Sequence, residues 1–207
     1  EKKTIAAFGD ELFDAWRSAR QIAPLTDREP DITIEEAYQV QLHTIERRIG
    51  EGERVVGKKI GITARAVMQM LKVDQPDFGH LLSGMTYNEG ESLEAKQFCQ
   101  PRGEGEIAFI LNKDLTGPGI TGPQVLAATE CVMPAFEIVD SRVTDWKIKI
   151  QDTVADNGSA AAFVLGDNAV SARRVDLATE LQILSFYQQR ELAEPAGSAE
   201  ATVRSAG

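Results

Sequence analysis

The chain of 207 residues is long enough for one substantial domain, and a hydrophobic content of 43% indicates a packed core. The formal net charge of -10 argues against nucleic acid and anionic membrane as partners, because both require a basic surface. Two cysteines and two histidines are too few for a disulfide framework or a zinc site. Since no apolar run reaches the length of a membrane span and no signal peptide is evident, a cytoplasmic protein is expected.

Two amphipathic helices are predicted ahead of the first strand. Apolar residues recur at helical spacing between residues 4 and 20. A loop is predicted over residues 27–30, after which Thr33 and Glu36 form a T-x-x-E capping box. The helix that this box begins ends near residue 50, so residues 1–52 are predicted to form an N-terminal helical cap.

Residues 54–62 predict a β-strand with Lys58 and Lys59 in its interior. Because neighbouring strand residues face opposite sides, one lysine points inward if the other is solvated. A buried lysine requires a carboxylate or a substrate as its partner, and the alternative is an edge strand with both lysines solvated. A short helix over residues 63–70 and a turn-rich loop over residues 73–79 follow. This loop would hold Asp77 in a defined place, although such a residue more often serves a turn than catalysis.

Glu104 and Glu106 lead into an apolar strand that continues to Leu111. Side chains two apart on a strand share a face, so these carboxylates repel each other unless a cation lies between them. Oxygen ligands favour a hard divalent ion such as Mg²⁺ or Mn²⁺, and the alternative is an edge strand with a solvated acidic face. Glu137 is a candidate third ligand in a predicted strand over residues 135–139, where an ion pair with Arg142 is equally compatible with the pattern.

The C-terminal half predicts further helices and strands. A helix begins at Thr121 and is ended by Pro134, and a strand of small residues covers residues 159–165. Ser159 at its start lacks a G-x-S-x-G elbow, which disfavours a serine-hydrolase nucleophile. An amphipathic helix is predicted over residues 176–191, followed by a flexible tail from Pro195.

Five segments of the chain carry a resemblance to a known family. In chain order they are VVGKKIGIT, VDQPDFG, QPRGEGEIAFIL, PAFEIVDSR and DWKIKIQDTVADNGS. With these segments, the chain from about residue 5 to 167 resembles the hydratase/decarboxylase branch of the fumarylacetoacetate hydrolase superfamily, enzymes of aromatic meta-cleavage pathways. The resemblance implies an α+β fold in which N-terminal helices precede a mixed, curled β-sheet, or β-roll. Residues 53–167 are then the catalytic domain, and residues 168–207 are a divergent, partly flexible C-terminal segment.

The resemblance also implies a set of site residues. A Mg²⁺ or Mn²⁺ ion would be bound by Glu104, Glu106 and Glu137, with no organic cofactor. Lys59 matches a lysine of the family's active-site strand, and Ser159 matches a small hydroxyl position near the substrate. Asp77 matches the hydratase loop, where decarboxylase relatives more often have an apolar residue. The catalytic residues implied are therefore Lys59, Asp77 and Ser159.

The function implied is a hydro-lyase that adds water to a 2-hydroxy-2,4-dienoate and produces a 4-hydroxy-2-oxo acid. Two alternatives stay open, a 4-oxalocrotonate-type decarboxylase and a non-catalytic partner subunit of the family. The expected partner is a small 2-hydroxydienoate or 2-oxo acid. A homo-oligomer is expected, with a complex with a related pathway enzyme as a further alternative.

Overall fold

Helices precede the first strand, and β-structure dominates after them. The computed structural model describes residues 4–63, 65, 68, 69 and 72–177. Helices run over Ile5–Ser18 (α1), Leu25–Arg28 (α2), Ile34–Gly50 (α3), Gly122–Ala128 (α4) and Ile150–Ala155 (α5). Strands run over Val55–Gly61 (β1), Asp77–Leu82 (β2), Thr86–Tyr87 (β3), Arg102–Leu111 (β4), Thr129–Val139 (β5) and Ala160–Leu165 (β6). The predicted α+β class with N-terminal helices is confirmed. Among the described residues, no helix is both long enough and apolar enough to cross a membrane.

The second predicted helix begins with the capping box that its sequence contains. Thr33 Oγ1 accepts a hydrogen bond from the Glu36 N–H at 3.1 Å, and the Glu36 carboxylate accepts one from the Thr33 N–H at 2.9 Å. Two backbone donors that lack partners within the helix are thereby satisfied. The start of α3 is therefore encoded by two residues three apart in the chain.

The loop predicted over residues 27–30 is wrong in part, because α2 ends only at Arg28. Thr26 in this turn donates from its backbone N–H to Asp152 Oδ1 at 3.1 Å and from its hydroxyl to Asp152 Oδ2 at 2.7 Å. Asp152 lies on α5 and is fully buried. The Asp152 carboxylate thus accepts hydrogen bonds at the start of α2. The residue types near Thr26 in the chain do not predict this contact, because Asp152 is distant in sequence.

Two sheets are present among the described residues. Strands β1 and β2 pair antiparallel, with Lys59 opposite Gly79, and the other sheet has the order β3-β6-β5-β4. The helix predicted from Thr121 to Pro134 is wrong beyond Ala128, because β5 begins at Thr129 and continues through Pro134. Proline lacks an N–H but keeps its carbonyl, and the Pro134 oxygen accepts a bond from the Gly166 N–H at 2.9 Å. The single curled sheet stays a prediction.

The chain divides into two compact units. The first comprises Glu1–Thr86, Leu93–Arg102 and Ile138–Ala162, and the second comprises Tyr87–Ser92, Gly103–Glu137 and Phe163–Gly207. The boundaries predicted at residues 52 and 167 stay predictions. Of the helix predicted over residues 63–70, Arg65, Met68 and Gln69 are helical among the described residues, whereas Thr63 is not. The helix predicted over residues 176–191 lies outside the described residues except for its first two, and the tail from Pro195 lies wholly outside them.

Helices α1, α3 and α5 contribute to the core of the first unit. Its buried members are Phe8, Leu12, Leu25, Ile32, Ala37, Val40, Val154 and Ala155. Gln41 on α3 is also buried, and its amide donates to the carbonyl oxygens of Phe78 at 2.9 Å and Val154 at 2.7 Å. Because a buried amide needs partners, these bonds fasten α3 to both β2 and α5. The strand that carries Asp77 is therefore held against the helices.

Arg142 forms a buried ion pair in the first unit. Its Nε lies 2.6 Å from Asp156 Oδ1, and both side chains are nearly inaccessible to solvent. The guanidinium also donates to the backbone oxygen of Asp156 at 2.8 Å. Asp156 is therefore the carboxylate with which Arg142 pairs, where the sequence left Glu137 as an alternative. Such a pair is costly to break, because a single uncompensated charge would stay buried.

Candidate active site

Lys58 and Lys59 occupy opposite faces of β1, as the alternation of a strand predicts. Lys58 is exposed and Lys59 is half-buried, and Lys59 Nζ donates a hydrogen bond to the Gly158 carbonyl oxygen at 2.8 Å. The alkyl chain of Lys59 lies between two glycines. A Cβ on Gly79 would lie 2.9 Å from Lys59 Cγ, and one on Gly158 would lie 3.1 Å from Lys59 Cδ. The absence of side chains at Gly79 and Gly158 is therefore what makes room for the lysine.

Asp77 is buried at the start of β2, with 2% of its surface exposed. Its Oδ2 accepts a hydrogen bond from the Thr153 hydroxyl at 3.2 Å, whereas Oδ1 has no hydrogen-bond partner among the described residues. A Cβ on Gly61 would lie under 3.0 Å from Asp77 Oδ1 and 3.4 Å from Lys59 Nζ. The carboxylate and the ammonium group thus flank the bare backbone of Gly61. Burying a polar atom without a hydrogen-bond partner destabilises the fold. Such atoms are therefore candidates for binding a ligand.

Ser159 lies directly after Gly158, and it is 3% exposed. Within the described part of the chain its hydroxyl oxygen has no hydrogen-bond partner. The expected strand begins one residue later, at Ala160, because Asn157, Gly158 and Ser159 form a turn with φ of 57°, 59° and 57°. Positive φ is unfavourable for Asn157 and Ser159, which are not glycines, and such strain concentrates at functional sites. Below, Lys59, Asp77 and Ser159 are called the Lys59–Asp77 site, and residues 157–159 the 157–159 turn.

His80 lies on β2 and, by alternation, faces away from the side of the sheet that carries Asp77 and Gly79. Its Nδ1 lies 2.9 Å from Gln41 Oε1. Because the Gln41 amide nitrogen donates to two carbonyls, Oε1 is the acceptor, and His80 Nδ1 carries the proton. Burial and, to a lesser degree, the charge of Lys58 lower the pKa of His80. These contacts indicate a structural, neutral histidine.

The second unit brings together the three carboxylates that the sequence singled out. Oxygen atoms of Glu104, Glu106 and Glu137 all lie within 4.8 Å of one another. Glu104 and Glu106 are half-buried on one face of β4, and Glu137, 6% exposed, lies on the adjacent strand β5. Three negative charges at this range repel one another strongly unless a cation neutralises them. An all-oxygen donor set of this kind fits a hard divalent ion.

A cavity of about 420 Å³ also lies in the second unit. Its lining is mainly apolar and includes Ile107, Pro134 and Phe136, together with Glu106. By alternation along β4, Ile107 faces away from the side that carries Glu104 and Glu106. The lining thus includes side chains from both faces of β4, and Glu106 is its member that belongs to the carboxylate cluster.

Three residues that shape the Lys59–Asp77 site were not predicted as functional from the sequence. Thr153 binds the Asp77 carboxylate, Asn157 binds the backbone of β2, and Gly61 leaves room for Asp77. The Asn-Gly pair at residues 157–158 is a signal for a left-handed turn, so the 157–159 turn was open to prediction. Thr153 and Gly61 carry no comparable signal, since their roles depend on contacts distant in sequence.

Comparisons with known proteins identify the family of the chain. Over 180 residues the chain is 59% identical to a 2-hydroxypent-2,4-dienoate hydratase of Pseudomonas putida, covering 86% of this chain and 81% of that protein. It is 52% identical over 200 residues to a 2-hydroxyhexa-2,4-dienoate hydratase of Comamonas testosteroni, covering 96% and 74%. The chain belongs to the hydratase/decarboxylase family. That result confirms the predicted family and the predicted hydro-lyase of the 2-oxopent-4-enoate hydratase type.

A solved structure of the hydratase/decarboxylase family has the same fold. The 4-oxalocrotonate decarboxylase from Pseudomonas putida G7, complexed with magnesium and adipate, matches with a TM-score of 0.81 and 31% sequence identity. The match covers 84% of this chain and 66% of the decarboxylase. No protein-family model matches the chain.

Proposed function

We propose that this chain hydrates a 2-hydroxy-2,4-dienoate to a 4-hydroxy-2-oxo acid, a reaction of aromatic meta-cleavage degradation. The observation that carries the proposal is the Asp77 carboxylate, buried beside Lys59 with one oxygen unpartnered among the described residues. Hydratases and decarboxylases of this family are expected to differ at the loop of Asp77. The two hydratases that are 59% and 52% identical to the chain support the choice of hydration.

In the proposed enzyme, Glu104, Glu106 and Glu137 hold a divalent ion, Mg²⁺ or Mn²⁺. Their carboxylate oxygens, within 4.8 Å of one another, are the donor type that such ions prefer. A bound divalent cation supplies Lewis acidity toward the carboxylate and the 2-oxygen of a 2-oxo acid. The magnesium in the related decarboxylase structure supports this choice of ion.

Proton transfer falls to the residues of the Lys59–Asp77 site. The dienol loses the proton of its 2-hydroxyl and gains one at C5, which produces a conjugated 2-oxo-3-enoate. Water oxygen then adds at C4, and a proton is delivered to C3. Asp77 is the proposed general acid/base for these steps, since its buried Oδ1 is available for a ligand among the described contacts. Lys59 balances developing negative charge or transfers protons at Nζ, and the Ser159 hydroxyl binds the substrate.

Decarboxylation of a 4-oxalocrotonate-type 2-oxo acid is the second candidate. The fold likeness to 4-oxalocrotonate decarboxylase, with a TM-score of 0.81, is the observation that favours it. The same carboxylates and Lys59 would serve both reactions. A second carboxylate on the substrate separates them, because only the diacid can release CO₂ by this route.

The deciding experiment offers the purified protein both substrates, 2-hydroxypenta-2,4-dienoate and 2-oxohex-3-enedioate, with Mg²⁺, Mn²⁺ or a chelator. We expect loss of dienoate absorbance with the 4-hydroxy-2-oxo acid as product, abolished by the chelator and restored by added metal. Faster release of CO₂ from the diacid would instead support the decarboxylase. A folded protein that binds no metal and converts neither substrate would overturn both and support a non-catalytic partner subunit.

Three further expectations stay predictions alongside this function. They are the curled sheet of the family, the homo-oligomer and the cytoplasmic location. A small dienoate as the binding partner follows from the proposed reaction itself.

A further inference from the structure

The side chain of Asn157 binds both backbone groups of one residue in β2. Its Oδ1 accepts a hydrogen bond from the His80 N–H at 2.7 Å, and its Nδ2 donates to the His80 carbonyl oxygen at 2.9 Å. Asn157 is buried, with 5% of its surface exposed. The pairing uses the amide oxygen and one of the two amide N–H donors, in the way a neighbouring strand would pair with His80. The 157–159 turn is thereby docked onto β2.

The docking places the turn directly over Lys59. A Cβ on Gly79 would lie 2.5 Å from the Asn157 carbonyl oxygen and 2.9 Å from Lys59 Cγ, so the turn and the lysine both occupy the space above this glycine. Gly158 then covers Lys59 Cδ, and its carbonyl oxygen accepts the bond from Nζ at 2.8 Å. This acceptor for the ammonium group is a backbone atom, so its position depends on the conformation of the 157–159 turn.

The conformation of the turn makes such holding necessary. Residues Asn157, Gly158 and Ser159 all have positive φ, which is unfavourable for the two residues other than glycine. The two hydrogen bonds between the Asn157 side chain and the His80 backbone oppose this cost. Without them, relaxation of the turn would move the Gly158 carbonyl away from Lys59.

We propose that Asn157 is a positioning residue for proton transfer at Lys59, acting through the 157–159 turn and the Gly158 carbonyl. The proposal rests on the function proposed above for Lys59. Asp77 is the titratable group that flanks Gly61 together with Lys59, whereas Lys58 and His80 lie on the opposite face of the sheet by alternation. The side chain of Asn157 binds the backbone of His80, so its contribution is to the position of the turn.

The test uses Asn157→Gly, which removes the amide but keeps a residue that tolerates positive φ. We expect kcat to fall about ten- to a hundredfold. The pH at which kcat is half-maximal should move downward, because loss of an acceptor favours the neutral amine. The affinity for Mg²⁺ should stay unchanged. Asn112→Gly, at an exposed position, is the matched control and should keep the wild-type kcat and pH profile.

Other outcomes separate the two proposals. A kcat lowered equally at every pH, with an unmoved midpoint, would show a merely structural role and overturn the positioning. If Lys59→Met abolishes turnover while Asn157→Gly matches wild type, the positioning role of Asn157 is overturned and the proposed function of Lys59 stands. If Lys59→Met turns over normally, the proposed function of Lys59 fails first. Should Asn157→Gly not fold, Asn157→Ser keeps a small uncharged side chain that is too short to bind both backbone groups of His80, and the same measurements apply.

Discussion

The carboxylate of Asp77 and the ammonium group of Lys59 meet across a residue that has no side chain. Asp77 Oδ1 and Lys59 Nζ both lie within 3.4 Å of the point where a Cβ of Gly61 would stand. The two groups come from neighbouring strands, and Gly61 lies opposite Asp77 in the register of β1 and β2. This relationship leads directly to two of the following predictions.

Replacement of Lys59 by methionine is expected to lower kcat about 10²- to 10⁴-fold, the usual contribution of a positioned proton-transfer group. The alkyl chain that lies between Gly79 and Gly158 is largely kept, so the fold should persist. Steady-state kinetics with saturating Mg²⁺ measures the effect. Lys58→Met is the matched control, since Lys58 is exposed on the other face of the same strand. Near wild-type turnover in Lys59→Met, with metal bound, would contradict the assignment.

Gly61→Ala should lower activity although it removes no charged group. The added Cβ would stand under 3.0 Å from Asp77 Oδ1, so the carboxylate must shift and the distance to its Thr153 partner must change. We expect kcat to fall at least about tenfold, since small displacements of a catalytic group are costly. In Gly57→Ala on the same strand, the added Cβ meets only the Leu81 side chain, at 3.4 Å from Cδ1 and 3.8 Å from Cβ, and the variant should behave like wild type. Equal activity of the two variants would count against a role for the Asp77 position.

Glu106→Gln should weaken Mg²⁺ binding at least about tenfold, or 1.4 kcal/mol, because one of three carboxylates loses its charge. Calorimetric titration with and without oxalate, a mimic of a 2-oxo acid, measures this directly. In the absence of metal, the variant should unfold at an equal or higher temperature than wild type, since repulsion among the carboxylates is relieved. Glu130→Gln, exposed on β5, is the control. Unchanged Mg²⁺ affinity in Glu106→Gln would remove this residue from the ligand set.

The pH dependence of stability should contain a contribution from His80. Burial, assisted by Lys58, lowers the pKa of His80 in the folded protein, whereas the unfolded value is about 6.5. The unfolded chain therefore binds more protons as the pH falls, and stability present above about pH 6.5 is lost as the pH falls through the lowered folded value.

Urea unfolding over this pH range measures the free energy of unfolding directly. In His80→Gln the loss of stability with falling pH should be smaller, since the amide of glutamine can still donate to Gln41 Oε1 but does not titrate. An identical slope in the variant and wild type would show that another group accounts for the acid sensitivity.

Local patterns in the chain predicted much of this molecule correctly. The capping box of Thr33 and Glu36 and the shared face of Glu104 and Glu106 depend on residues two or three positions apart, and both are observed. The family and the hydratase type were also predicted, from five motifs spread over most of the chain, and the relatives confirm them. The roles of Lys59, Asp77 and Ser159 stay predictions.

Where a prediction was wrong or an alternative was left open, a contact between residues outside the local pattern decided the structure. Pro134 was expected to end a helix, but it lies within β5, because Gly166 binds the carbonyl that proline retains. Arg142 was a candidate partner of Glu137, but its buried ion pair is with Asp156. In both cases the local residue types allowed more than one partner.

The arrangement around Lys59 shows most clearly what spacing along the chain leaves undecided. Alternation in β1 predicts that Lys58 and Lys59 face opposite sides, but not which of them is buried. The bond from Lys59 to Gly158 joins residues 99 positions apart, and the bond from Thr153 to Asp77 spans 76. These contacts form because Gly61, Gly79 and Gly158 let backbone and charged groups approach more closely than any Cβ permits. The alternation along a strand determines which side chains share a face. Which groups share a site is determined by the tertiary contacts that glycines distant in sequence allow.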